Sequence, residues 1–317
     1  MKITEHLAKA KKPLFSIELL PPLKGQSIQS FFDSIDPLIE FKPSFIDVTY
    51  HREEYIYKKR ENGLLEKQKV RRRPSTVGIC AAIMNRYHVD TVPHIICGGF
   101  SRKETEDALI DLSFLGVENL LVLRGDALKS EKAFAPHPEG NQFATDLICQ
   151  VSNMNKGVFL EEVVQEQACT DFCIGVAGYP EKHFESPNME RDLFYLKQKV
   201  EMGAQYIVTQ MFFDNQKYFS FVEKCREIGI TVPIIPGLKP LITKKQMTVL
   251  PSIFKIDIPN ELALEVEKCK NNDEVKQVGI EWGIQQCKEL IEHDAPCLHF
   301  YTMNRSTSVQ EIASALF

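Results

Sequence analysis

The sequence predicts a single (β/α)8 barrel, and three observations carry that expectation. Eight short apolar runs rich in β-branched residues recur along the 317 residues. Each is followed by a polar turn and a longer amphipathic stretch, the pattern of βα repetition. Eight such strands over roughly 300 residues exceed the five to seven that a doubly wound sheet usually holds.

In order, the strands are expected at Phe15–Leu20, Phe45–Tyr50, Val92–Cys97, Leu120–Arg124, Phe172–Tyr179, Tyr206–Phe213, Val232–Leu238 and Leu298–Met303. Helices are expected near 27–41, 71–87, 102–115, 141–154, 188–203, 215–228, 243–254 and 306–316, with extra helical material at 259–292 before the last strand. Ser101 and Glu104 read as a capping box, and Asp214 and Thr243 as N-caps. Gly116, Gly203 and Gly229 stand where helices should close. Two insertions interrupt the pattern. Residues 127–140 read as a long loop after a strand, and the alternation in 156–170 as a small hairpin. No internal repeat is found, so residues 1–317 read as one catalytic domain.

Composition narrows the function. With 44% hydrophobic and 26% charged residues, the chain can bury one large core. A net charge of −5 and a pI near 6.0 argue against a nucleic-acid surface. The one dense basic run, Lys69-Val70-Arg71-Arg72-Arg73, is short and reads as a solvated helix or loop end. The start of the chain lacks an apolar signal core, and no apolar stretch nears the ~20 residues of a membrane span, so a cytoplasmic protein is expected. Nine cysteines, mostly in apolar segments, suit reduced packing. GxGxxG, GxxxxGK[ST] and HExxH are all missing, and neither zinc nor cluster spacing is found. No metal is expected, and any nucleotide cofactor must be held without these fingerprints.

In a barrel the reacting groups come from the carboxyl ends of the strands. Glu18 shares a face with Ser16 in FSIELLPP. If that face is the barrel interior, poor solvation raises the carboxyl's pKa toward that of a general acid; the alternative is an edge or end-of-strand Glu reaching solvent or a Lys. Arg124, Gly125 and Asp126 form a strand-terminal triplet, either an anion site or a structural Arg–Asp pair. His94, inside VPHIIC, reads more readily as a core histidine than as a base. Tyr179 with His183, Gln210 and Arg305 occupy equivalent strand ends.

Together, FSIELLPP, VTYH, PHIIC, LRGD, GYPEKH, TQMFFD, IPGLKP and HFYTMNR occur in an order and spacing that resemble methylenetetrahydrofolate reductases of the bacterial type, over nearly the whole chain. The resemblance implies an FAD-bearing barrel in a ping-pong cycle. NADH or NADPH reduces the flavin, leaves, and is replaced by 5,10-methylenetetrahydrofolate, which becomes 5-methyltetrahydrofolate for methionine synthesis. It implies a homo-oligomer, with Glu18 as general acid and Asp126 as the carboxylate near the flavin and pterin rings. Flavin contacts carry over to Tyr50, His94, Arg124, Gly125, Asp126, Ala144, Tyr179, His183, Asp192 and Lys199. Thr49 is similar to a nicotinamide-site position, Gln210 to one serving both substrates, and Gln246 and Arg305 to folate contacts. Departures fall at His51-Arg52, Tyr195, Gln198 and Leu250. Two other readings compete: a flavin-free pterin- or phosphate-binding barrel, and a noncatalytic assembly subunit.

Overall fold

The computed structural model describes residues 1–128, 131, 133–161, 168–303 and 305–317. Its main sheet contains β1 (Leu14–Leu19), β2 (Phe45–Val48), β5 (Asp90–Ile96), β6 (Asn119–Leu123), β7 (Cys173–Gly178), β8 (Tyr206–Thr209), β9 (Ile234–Ile235), β10 (Gly237–Leu238) and β11 (Cys297–Tyr301). They lie in the order β10-β11-β1-β2-β5-β6-β7-β8-β9, every pair parallel. All eight expected strands form, the seventh in two halves. Pro236 separates β9, which pairs with β8, from β10, which pairs with β11, so the ring closes through this one stave. A proline cannot donate to a ladder, and the break falls where that donor is missing.

Closure is tight. The Tyr301 hydroxyl donates to Thr209 O at 2.6 Å, and Gly237 N donates to Thr209 Oγ1 at 3.0 Å. A Cβ at Gly237 would lie 2.2 Å from Thr209 O, so no larger residue fits this crossing.

Strand alternation divides the side chains between two environments. Phe15, Ile17, Leu19, Ile46, Val48, Val122, Val176, Ile207 and Phe300 face outward into the main core beneath the helices. Full burial of each such side chain contributes about 1.5–3 kcal/mol. The opposite parity lines the barrel. Phe45, Val92, Leu121, Cys173, Tyr206, Val208 and Cys297 fill its lower part and meet Ile3 of a first helix, α1 (Ile3–Lys9). That helix, which sequence reasoning passed over, plugs the amino-terminal mouth. Ile3 N donates to Asn119 Oδ1 at 2.8 Å, Lys2 pairs with Asp171 at 2.5 Å, and His6 with Asp90 at 2.7 Å.

The outer ring comprises α2 (Ile28–Asp33), α3 (Asp36–Ile39), α4 (Thr76–Tyr87), α5 (Arg102–Phe114), α6 (Ala144–Met154), α7 (Met189–Glu201), α8 (Asn215–Glu227), α9 (Gln246–Phe254), α10 (Asn260–Lys268), α11 (Asn272–Glu292) and α12 (Ser306–Ser314). The Ser101–Glu104 capping box forms, and Asp214 caps α8. Gly116, Gly203 and Gly229 each follow a helix at positive φ.

Four expectations need correction. The 27–41 helix is broken into α2 and α3, Pro37 opening the second piece. Thr243 caps nothing; the Gln246 side chain turns back to accept from Ile242 N and Thr243 N at 2.7 and 3.0 Å. The helix expected from 71 starts at 76, because the preceding chain is a hairpin of β3 (Glu54–Lys59) and β4 (Leu65–Val70). Its turn holds Asn62-Gly63 with Gly63 at φ +80°. Of the hairpin expected in 156–170, residues 162–167 lie outside the described residues, and 156–161 and 168–170 carry no strand. The basic run is engaged within the chain: Lys69 pairs with Glu53, Arg72 with Glu54 at 2.8 Å, and Arg73 donates to Pro21 O. Among the described residues, no helix is long and apolar enough to cross a membrane.

Candidate active site

Above the apolar floor the barrel interior becomes polar. Ser16 and Glu18 of β1, Asp47 of β2, His94 of β5 and His299 of β11 all come from inward-facing positions, and register sets them side by side. Ser16 pairs with His299, and Glu18 lies between Tyr301 and Asp47. His94 Nε2 stands 3.5 Å from Glu18 Oε2 and 3.5 Å from Asp47 Oδ2. The Glu18 side chain is 13% exposed and that of Asp47 1%. Burial pushes the Glu18 carboxyl up to about 7, with the His94 charge opposing that rise and the Asp47 charge adding to it. Burial likewise lifts Asp47 to about 7, against attraction from His299. Both imidazoles are pushed down by burial. The two carboxyls thus lie within reach of titration near neutral pH, where proton transfer needs them, beside two imidazoles whose neutral form burial favours.

Glu18 is the member of this group closest to the open end. Beside it Lys239, just after β10, donates to Tyr301 O at 3.4 Å, and burial lowers its ammonium to about 8.

Around the rim the polar groups fall into two sectors. The first is built from the ends of β2, β5, β6 and β7 and from α7. Thr49 and Tyr50 are half-buried, and the Tyr50 ring packs against Phe100 at 4.9 Å. Arg124 pairs with Glu185 at 2.6 Å and lies over the Phe134 ring at 5.0 Å. Gly125 has φ +86°, a turn conformation glycine adopts without strain. Asp126 is exposed; pairing with Glu185 raises the Arg124 pKa and burial raises that of Tyr179, and the Asp126 charge adds to both. The Tyr179 and His183 rings meet edge-on at 4.7 Å. Asp192 accepts from His183 N at 3.1 Å and from Ser186 Oγ at 2.7 Å, tying the loop after β7 to α7. Lys199 is half-buried; its ammonium donates to Ala177 O at 3.5 Å, and burial lowers its pKa. Ala144 is the first residue of α6.

The second sector comprises the ends of β8, β10, β11 and β1 with α9. Gln210 is half-buried, its side-chain carbonyl accepting from Met211 N at 3.0 Å. The carbonyl of Gln246 is committed to the 242–243 backbone, leaving its amide group to donate. Arg305 is exposed at the N-cap of α12.

The sequence of this chain matches the family model described as methylenetetrahydrofolate reductase over residues 2–316. The chain belongs to the methylenetetrahydrofolate reductase family. It is 31% identical over 302 residues to the Salmonella typhimurium 5,10-methylenetetrahydrofolate reductase, covering 95% of this chain and 90% of that one. Against the Arabidopsis thaliana "Methylenetetrahydrofolate reductase (NADH) 1" it is 31% identical over 300 residues, covering 92% of this chain and 46% of the relative. Against the Caenorhabditis elegans "Probable methylenetetrahydrofolate reductase (NADPH)" it is 30% identical over 314 residues, covering 98% and 43%. The chain therefore spans about half the length of these eukaryotic relatives. Among solved structures, a Clostridium thermocellum protein described as binding two copies of 5-methyl-5,6,7,8-tetrahydrofolic acid aligns over 99% of this chain and 97% of its own, with a TM-score of 0.57 and 12% identity. That likeness shows the barrel fold.

Within this family fold, the residues expected from sequence divide between the two sectors. Thr49, Tyr50, Arg124, Gly125, Asp126, Tyr179, His183, Asp192 and Lys199 belong to the first. Gln210, Gln246 and Arg305 belong to the second, and Glu18 with His94 lies inside the barrel beneath them. The reading of His94 as a plain core histidine gives way, because its Nε2 has no hydrogen-bond partner among the described residues and faces two carboxylates. Sequence reasoning missed Asp47, His299 and Lys239. The signal for the first two was present: a charged or imidazole side chain in an apolar strand, at the parity that Ser16 and Glu18 share through register.

Proposed function

We propose that this chain reduces 5,10-methylenetetrahydrofolate to 5-methyltetrahydrofolate, with FAD as its bound cofactor and NADH or NADPH as electron donor in a ping-pong cycle. The product would supply methyl groups for methionine synthesis. We further propose that residues 1–317 act as one catalytic domain, in the cytoplasm and as a homo-oligomer. In a chain of this family, the observation that carries the reading is Glu18: a carboxyl buried inside the barrel and pushed up to about 7, so that it holds a proton at the pH where a bridging amine must receive one.

The first sector fits a dinucleotide in chemical character. Lys199 is a half-buried ammonium with no carboxylate in ion-pair contact among the described residues, a group suited to a phosphate. Arg124 adds a guanidinium, Tyr50 and Tyr179 offer ring faces, and Asp192 holds the connecting loop in place. His94 Nε2, at the inner edge, faces Glu18 and Asp47 at 3.5 Å and has no hydrogen-bond partner among the described residues. These residues, with Gly125, Ala144 and His183, would hold FAD, and Thr49 would line the nicotinamide site. When bound, the flavin supplies two-electron exchange between the nicotinamide and the folate.

The remaining steps belong to the chain itself. Glu18 donates its proton to the amine of the methylene bridge, opening the substrate to the cationic iminium that accepts a hydride. Asp126 presents a carboxylate that stabilises that cation. Gln210 and the free amide of Gln246 orient the pterin by hydrogen bonding, and Arg305 receives the glutamate carboxylates. The closed barrel floor beneath Glu18 excludes water from below.

Anaerobic stopped-flow tests the whole reading. Purified protein should show a visible flavin band, bleach with NADH or NADPH, and regain colour on addition of methylenetetrahydrofolate with formation of methyltetrahydrofolate. A colourless protein that binds pterin or phosphate ligands would favour a flavin-free barrel, and a yellow protein without turnover would favour an assembly subunit.

A further inference from the structure

Asp47 has no task in the mechanism above. It is fully buried, and neither carboxylate oxygen has a hydrogen-bond partner among the described residues. An isolated buried charge is expensive, so its surroundings must account for it. Asp47 is the register partner of Glu18, and His94 Nε2 lies 3.5 Å from an oxygen of each. Those two oxygens are therefore no more than about 7 Å apart, close enough for like charges to repel strongly in a medium of low polarisability. On the β11 side stands His299, fully buried, its Nδ1 tied to Ser16 Oγ at 2.9 Å and its Nε2 without a hydrogen-bond partner among the described residues.

Among the described residues, the other titratable groups around the pair are His51, which burial lowers to about 4, and Tyr206, Tyr301, Cys80 and Cys297, which burial pushes up, so all are neutral in the working range. Lys239 at the rim attracts Glu18. Among the described residues, the compensating charge for Asp47 comes from His94, from His299 or from a proton.

We propose that Glu18 and Asp47 form one carboxylate pair bridged by His94, in which Asp47, sealed from substrate, is a positioning residue whose charge governs the protonation of Glu18. The proposal rests on Glu18 being the proton donor. Each time Glu18 gives its proton to the substrate amine, two anions face one imidazole nitrogen. Their repulsion favours recapture of a proton from solvent through the open mouth, which restores the acid. Such a pair titrates as a unit, in two steps that belong to both members.

The test follows the carboxyl stretching band by infrared difference titration on the flavin-loaded protein. Wild type should show two coupled protonation steps. Asp47→Asn should show one, at a pH lower by about one unit than the upper wild-type step, leaving about tenfold less protonated Glu18 at a given pH above it. The alkaline limb of the folate half-reaction should move by the same amount, while flavin reduction by nicotinamide nucleotide stays unchanged. A folded Asp47→Asn whose Glu18 step matches wild type overturns the proposal. Because coupling is reciprocal, Glu18→Gln must shift the Asp47 step downward too, and an unmoved Asp47 step overturns the proposal even if Asp47→Asn does not fold. The titration needs no turnover. Coupled steps in a protein that fails to reduce folate would refute the substrate reading alone, whereas independent steps in an active reductase would refute the pair alone.

Discussion

Replacing Glu18 with glutamine removes one ionisable proton while keeping the shape of the side chain, so its effect should be confined to the acid step. In the wild type, burial pushes this carboxyl to about 7. The protonated fraction is then about nine-tenths at pH 6 and about one-tenth at pH 8, so the folate half-reaction should slow roughly tenfold across that interval. The direction follows from the active form being the acid, so activity is lost as pH rises. Loss of a general acid costs on the order of 10²- to 10⁴-fold, about 3–5 kcal/mol in barrier. Glu18→Gln should therefore retain its flavin and be reduced by nicotinamide nucleotide at the normal rate. Its folate half-reaction should be slower by that factor, and the remaining rate should no longer decline between pH 6 and 8. The assay is single-turnover reoxidation of the reduced protein by methylenetetrahydrofolate, followed by flavin absorbance at each pH. Methyltetrahydrofolate formation at the wild-type rate, or an unchanged pH dependence, would refute the assignment of Glu18 as proton donor.

Three further outcomes follow. Asp126→Ala should slow the folate half-reaction and raise the flavin reduction potential, because a negative charge near the ring is removed; redox titration showing an unchanged potential counts against that role. Lys199→Met should keep the fold but weaken flavin retention by about 10- to 100-fold, the worth of one charge-assisted hydrogen bond, read by flavin release on dilution; full retention would sink the phosphate assignment. Gly175→Ala should destabilise the barrel by about 3 kcal/mol in urea denaturation, since its Cβ would lie 2.1 Å from the Tyr206 ring, whose hydroxyl donates to Leu120 O at 3.0 Å; a shift under about 1 kcal/mol would mean that the ring moves freely.

The fold was legible because barrel strands are short, apolar and separated by amphipathic helices, a repetition that needs no tertiary information. What escaped was of two kinds. The β3–β4 hairpin carries a readable signal, since Asn62-Gly63 lies between alternating segments. Yet its exposed face mixes Tyr55, Tyr57 and Leu65 with Lys67 and Lys69, so no clean split between an apolar and a polar face marks it as structure. The α1 plug has little sequence signal of its own. Its seven residues bury only Ile3, and what fixes them is tertiary: the bonds from its start to Asn119, Asp171 and Asp90 at the lower ends of β5, β6 and β7.

The site divides along a similar line. Glu18 was legible from parity within one strand, because Ser16 and Glu18 repeat at a spacing of two in an otherwise apolar segment. Its chemical setting was not, because the perturbing groups come from strands 29 and more residues away in sequence and meet only through register: Glu18 with Asp47, Ser16 with His299. His94 illustrates the difference. In isolation, a histidine in an apolar strand reads as a packed core residue, and by burial it is one. Only register shows that its Nε2 stands 3.5 Å from two carboxylates, the contact on which the proposed pair rests. Parity tells which residues share the interior of a barrel, and so that Glu18 is buried, the largest cause of its raised pKa; register tells which charged groups touch it, and His94 and Asp47 then oppose and add to that rise.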